Sequence, residues 1–332
     1  MPFQTGPATT RHISLETIRE AASVVYAAAV RTPLVRLDAA EAGAPAPQIF
    51  LKLETLQPIG SFKIRGAYNA VRQLTPEQLA RGVWTVSAGN AAQGVALAAR
   101  KVGARASVLV MDTAPATKLR AIERLGATIV QAPYEECWRA VETHQSDRMQ
   151  GHFVHPFDDD RFISGNGTIG LEIVEDLPDV DAVIAPLGGG GLLAGAAVAL
   201  KALRPDIMVY AAEPATAAPL AQSFAAGRAS YFDGWTPSFV DGAGGKSVLE
   251  TMWPLLREHV DESIVVSLDE VAAAMAIVAE RARVIAEGAA GCAVAAALSP
   301  QIAAKGHRNV VAIVSGGNID LARFAALVGA HQ

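Results

Sequence analysis

The chain has 332 residues, enough for one large domain or two moderate ones with a sizeable core. Apolar residues make up 51% and charged residues 18%, which argues against disorder, and a net charge of −5 leaves no electrostatic footprint for nucleic acid or an anionic membrane. Two cysteines, Cys137 and Cys292, argue against a disulfide framework or a zinc site, and with no signal core and no membrane-length apolar run the expectation is a cytoplasmic protein.

Ser14 can cap a first helix, with Glu16 in its first turn and Ile18, Ala21, Ala22 and Val25 on one apolar stripe. Pro33 ends it. A short extended piece and an Ala/Pro-rich turn at 42–47 lead to a strand at 49–53 and a break at Gln57-Pro58. Then comes Gly60-Ser61-Phe62-Lys63-Ile64-Arg65-Gly66-Ala67, with helix formers continuing to 74. Lys63 sits at a loop-to-helix entry in partly apolar surroundings, which lower an amine's pKa; a neutral amine can form a Schiff base with an aldehyde. A lone lysine at a helix start is ordinarily a surface residue, so its meaning depends on the rest of the chain.

From residue 83, strands at 83–87, 106–111 and 127–131 alternate with helices at 91–101, 116–125 and 135–149, followed by a very short strand at 152–154. The series restarts after Pro156-Phe157-Asp158. It continues as helix 163–176, strand 182–185, helix 192–203, strand 207–212 and an irregular stretch at 225–246. Helix 248–259, strand 264–266, helices 268–286 and 292–298, strand 309–314 and helix 319–328 complete it. The alternation predicts an α/β fold of two doubly wound modules, with the ligand crevice between them. Residues 1–70 and 155–332 are expected to form a large domain and 71–154 a small one.

Three strand-to-helix turns can bind ligands. In Pro186-Leu187-Gly188-Gly189-Gly190-Gly191-Leu192, four glycines let several N–H groups converge on an anion at a helix N-terminus. Neither a dinucleotide fingerprint nor a Walker lysine follows, so a small phosphorylated cofactor is expected. Ser87-Ala88-Gly89-Asn90-Ala91-Ala92-Gln93-Gly94 suits a substrate carboxylate; the plainer reading is a helix start capped by Asn90. Val314-Ser315-Gly316-Gly317-Asn318 offers a hydroxyl to a ring nitrogen, or is simply a turn.

Together and in this order, the four motifs closely resemble the fold-type-II pyridoxal phosphate enzymes, in their threonine/serine dehydratase and serine racemase branch. The resemblance covers about residues 14–328 and implies the tryptophan synthase β-like fold. It implies that Lys63 carries the cofactor and removes the substrate's α-proton, with Phe62 packing near the cofactor ring. Asn90 would bond the cofactor's phenolic oxygen, Gly188, Gly189, Gly190 and Gly191 its phosphate, and Ser315 its pyridine nitrogen. Ser87, with the turn through Ala88, Gly89, Ala91 and Gln93, would hold the substrate carboxylate. Arg139 matches a substrate-facing arginine and Glu287 an acidic residue near the ring. Alternatively, the first is an ordinary helix-surface residue and the second a helix-end carboxylate.

The implied reaction is loss of water from an L-3-hydroxy amino acid, with the cofactor phosphate protonating the departing hydroxyl, to give a 2-oxo acid and ammonia. Threonine or serine leads, with a dehydratase for phenylserine or 3-hydroxyaspartate, or a serine racemase-like enzyme, as alternatives. Departures narrow the choice. Ala88 stands where racemases have a serine base, and alanine carries no proton. Glu213 keeps one racemase metal ligand, but Pro219 replaces the other, so no metal is expected. Ala91 stands where many relatives have histidine. No C-terminal regulatory domain is expected, and a homodimer is implied by the resemblance.

Overall fold

Among the residues described by the computed structural model, 11–38 and 47–331, ten strands form two sheets. The larger runs in the order β1 (Leu34–Leu37), β2 (Gln48–Leu53), β10 (Asn309–Val314), β7 (Ala182–Pro186), β8 (Met208–Pro214) and β9 (Glu262–Val266). The smaller runs β5 (Thr128–Ala132), β4 (Ala106–Met111), β3 (Val83–Val86) and β6 (His152–Phe153). All pairings are parallel except that of β1 with β2. The fold is thus α/β with two domains. The turn expected at 42–47 lies almost wholly outside the described residues.

Strand alternation builds the two cores of the larger sheet. Val183, Ala185, Val209, Ala211, Val311 and Ile313 face one core with the helix Gly191–Leu203. Their neighbours Ala182, Ile184, Tyr210, Ala212, Val310 and Ala312 face the other with the helix Gly288–Leu298. Covering both faces is why β7 and β10 are buried along their full length and, Asn309 apart, read as unbroken apolar runs.

Register then sets the ligand end. Val314 is level with Leu53, and Ala312 with Ile184, so β2, β10 and β7 finish side by side. The segments that follow carry Lys63, Ser315 and the four glycines to one carboxyl edge, where open α/β sheets bind ligands.

Several element limits differ from expectation. The helix begins at Lys63 itself and ends at Val71. The helix expected to 149 is Tyr134–Thr143, stopped by His144 in a left-handed conformation at φ 61°. The helix expected over 248–259 starts at Trp253, with Pro254 in its first turn, where a proline is tolerated. The stretch 268–286 divides into the helix Leu268–Ile277, a π turn Val278–Ala282 and a left-handed Arg283 at φ 59°. Five residues later the next helix opens at Gly288, four residues before the expected start. The helix Pro219–Ala226 stands just before the stretch expected to be irregular, and overlaps its start.

Candidate active site

A cavity of about 440 Å³ lies between the two sheets. Lys63 lies on its wall, at the N-terminus of the helix Lys63–Val71, and its Nζ donates to the Pro156 carbonyl at 2.5 Å. Nζ also stands 5.2 Å from the Phe62 ring centre and 5.3 Å from that of Phe162. Burial lowers its pKa from 10.5 to about 8, against the opposing charge of Glu287. A primary amine that deprotonates near neutrality is a base and nucleophile in waiting.

The neighbouring turns are pinned to Lys63 by backbone. Phe62 N–H donates to the Ser315 carbonyl at 3.0 Å, and Gly317 N–H to the Gly60 carbonyl at 2.9 Å. Ser315 is buried and lines the cavity. Its hydroxyl makes no hydrogen bond among the described residues.

No side chain caps the helix Gly191–Leu203, whose start lines the cavity, so its first-turn N–H groups are open to an anion. Packing also demands glycine here. A Cβ at Gly189 would stand 2.2 Å from the Phe157 ring, one at Gly191 2.4 Å from the Phe157 carbonyl, and Gly190 has φ +93°. Phe157 in turn is placed by His155, whose Nδ1 accepts from the N–H groups of Phe157 and Asp158 at 3.3 and 2.8 Å. Burial drives the His155 pKa down to about 3, so the ring stays neutral and can accept.

Opposite, the turn after β3 holds Ser87, whose Oγ accepts from Gly89 N–H at 3.0 Å and keeps its own proton free to donate. Asn90 does not cap: it is the first residue of the helix Asn90–Lys101, which has no side-chain cap. Its Nδ2 donates to Glu287 Oε1 at 2.7 Å, and its Oδ1 accepts from Asn318 Nδ2 at 2.7 Å. Burial raises the Glu287 carboxyl from 4.5 to about 7, with Asp241 pushing the same way and the Asn90 hydrogen bond opposing. Burial thus moves the lysine down and the glutamate up, toward each other.

A family profile described as pyridoxal-phosphate dependent enzyme matches residues 25–316. This chain belongs to that family. An L-threonine ammonia-lyase of Thermotoga maritima is 40% identical over 93% of this chain and 76% of its own. A catabolic L-threonine dehydratase of Staphylococcus aureus is 38% identical over 96% and 93%. The solved structure of maize serine racemase superposes with a TM-score of 0.86 at 35% identity, covering 96% of this chain and 98% of its own.

Pyridoxal phosphate, the family's cofactor, fits these residues: a depressed lysine amine for its aldehyde, an uncapped helix N-terminus for its phosphate and an unengaged buried hydroxyl for its ring. Phe62, Lys63, Ser87, Ala88, Gly89, Asn90, Ala91, Gln93, Gly188, Gly189, Gly190, Gly191, Glu287 and Ser315 all line the one cavity. Arg139 does not, and its expected approach to the substrate is corrected. Tyr134, Cys137, Trp138 and Val141 form the i, i+3, i+4, i+7 stripe that faces the cleft, which turns Arg139 outward to an exposed position.

Other wall residues were not singled out in the sequence. Phe157 announces itself only through the glycines it crowds, and Asn318 closes a motif whose serine drew attention. Glu213 lies elsewhere, buried, accepting from Leu220 and Ala221 N–H at 2.8 and 2.9 Å and from the Ser263 hydroxyl. Pro219 begins the helix that supplies those two N–H groups.

Proposed function

We propose that the protein is an ammonia-lyase acting on an L-3-hydroxy amino acid, with L-threonine and L-serine as its substrates. Pyridoxal phosphate, when bound, withdraws the electrons released at the substrate's α-carbon. Lys63 takes the α-proton on its neutral amine. Ser87, through its free hydroxyl proton, and the Ala88 N–H orient the substrate carboxylate, with Gln93 beside them. The Cβ–O bond breaks, and the hydroxyl takes up one proton, balancing the one lost from Cα, and leaves as water. The released enamine becomes an imine, and hydrolysis returns one water to give 2-oxobutanoate from threonine, or pyruvate from serine, and ammonia.

Asn90, fixed between Asn318 and Glu287, is proposed to meet the cofactor's phenolic oxygen with its second N–H, and Ser315 its ring nitrogen. Glu287 steadies Asn90. A neutral serine at that nitrogen suits prompt elimination over prolonged charge storage in the ring. The observation that carries the choice is Ala88 on the wall beside Ser87. With no proton carrier there, one face of the α-carbon has Lys63 and the other has no base at this position, which favours elimination over racemisation.

In the same reading, residues 1–70 and 155–332 form the cofactor domain and 71–154 the substrate domain of a cytoplasmic homodimer. Among the described residues no helix is long and apolar enough to cross a membrane. Assay of 2-oxo acid release from L-threonine and L-serine tests the proposal. D/L interconversion without 2-oxo acid overturns it.

A further inference from the structure

The residues lining the cavity fall into two chemically different sets, which we assign to a polar and an apolar end. The glycine turn, Ser315, Asn90 and Glu287 form a polar end. The other end is walled by Val86, Leu109, Met111, Cys137, Trp138 and Val141, from β3, β4 and the helix Tyr134–Thr143. Leu109 and Met111 lie two apart on β4, and Val86 is the last residue of the neighbouring β3, so all three can face that helix. Resting on the function proposed above, we infer that this apolar end is a subsite for a 3-substituent longer than the methyl of threonine, so that the site takes apolar 3-hydroxy amino acids as a class.

Position and charge support it. Val86 directly precedes Ser87, so the apolar wall begins beside the substrate-carboxylate turn. The cofactor takes the polar end, and the substituent on Cβ is left with the apolar one. Ala88 and Ala91 add little bulk there. A second carboxylate would find no unengaged cation. The basic side chains among the lining residues are Lys63, which serves the reaction, and Lys118, which is ion-paired with Asp241. The outward-facing Arg139 supplies none.

The test compares holoenzyme kcat/KM for L-threonine, L-3-hydroxynorvaline, L-threo-3-phenylserine and L-threo-3-hydroxyaspartate. The expected result is a rise of roughly fourfold from threonine to hydroxynorvaline, the value of one buried methylene, with phenylserine above threonine and hydroxyaspartate lowest. Calorimetric binding of the unreactive L-alanine, L-norvaline and L-phenylalanine to the holoenzyme should tighten in that order. Val141→Phe, which fills the subsite, should lower the hydroxynorvaline-to-threonine ratio at least tenfold. If threonine reacts and the longer substrates are slower, or hydroxyaspartate leads, the subsite is wrong and the lyase reading stands. If nothing in the panel releases 2-oxo acid, both fall.

Discussion

Behind the Lys63 helix, Arg65 lies fully buried between Glu54 and Glu172, while at the cleft mouth Lys118 meets Asp241 in contact with water. The inner group is a network. Arg65 bonds both oxygens of each carboxylate at 2.6 to 3.0 Å, Lys52 joins Glu172 at 2.7 Å, and Tyr26 and Thr32 donate to Glu172 Oε1 and Glu54 Oε1 as well, both at 2.6 Å. It ties the helix carrying Lys63 to β2 and to the helix Asp160–Asp176. The outer group crosses from the small-sheet side of the cleft to the large-sheet side. Besides Lys118 with Asp241, Lys246 lies 4.9 Å from the Tyr134 ring and 4.3 Å from that of Trp235. The same charges serve opposite ends. Dry and fully partnered, they anchor the helix that carries Lys63; exposed and single, they bridge the two sides of the cleft.

The largest effect should come from opening the inner network. Arg65→Met leaves Glu54 without its arginine and Glu172 dependent on Lys52, and removing one partner of a buried pair typically costs about 3–5 kcal/mol. Thermal unfolding should show a loss of that order, and cofactor occupancy should fall with it. Equal stability of variant and wild type would remove the distinction between the two regions.

Acid probes the same network. Burial alone would raise the Glu172 pKa, but Arg65 and Lys52 outweigh it and hold the carboxyl below 4.5. A depressed carboxyl contributes stability above its unfolded pKa and loses it as pH falls through the folded one. Wild type should therefore lose stability below about pH 4.5, and Glu172→Gln should flatten that limb.

Glu287, between the two regions, has the opposite sign. Its pKa is raised from 4.5 to about 7, so its contribution is full below pH 4.5 and is lost as pH rises to 7. The shift corresponds to on the order of 3 kcal/mol. Apoprotein Glu287→Gln should be more stable relative to wild type at pH 8 than at pH 4.5, read by denaturant titration. A constant difference would contradict the burial argument.

The smallest stability effect belongs to the outer pair. Asp241→Asn should cost less than about 1 kcal/mol, as exposed ion pairs do, while raising KM severalfold and doing so less in high salt. A stability loss matching that of Arg65→Met would sharpen the wrong side of the contrast.

The inner network was invisible in the sequence because Lys52, Glu54, Arg65 and Glu172 read as ordinary charges, and only tertiary packing makes them partners. By contrast β10 was legible residue for residue, since five apolar residues in a row after Asn309, in a strand buried along its full length, leave little choice. The Lys63, Ser87, Gly188 and Ser315 turns were legible as motifs. Their meeting point depends on the alignment of β2, β10 and β7, which no local pattern states. The helix ends at His144 and Arg283 were missed because neither residue advertises a left-handed conformation as glycine would. Arg139 failed on helical phase alone.

The central claim rests on Lys63 as a single-faced base in an elimination. The most direct measurement is simultaneous quantification of 2-oxobutanoate, ammonia and threonine stereoisomers from L-threonine, with wild-type holoenzyme and Lys63→Ala. The account predicts equal amounts of keto acid and ammonia from wild type, no epimer at Cα, and none of these products from the variant. Epimerised threonine without keto acid, or undiminished turnover by Lys63→Ala, would contradict it.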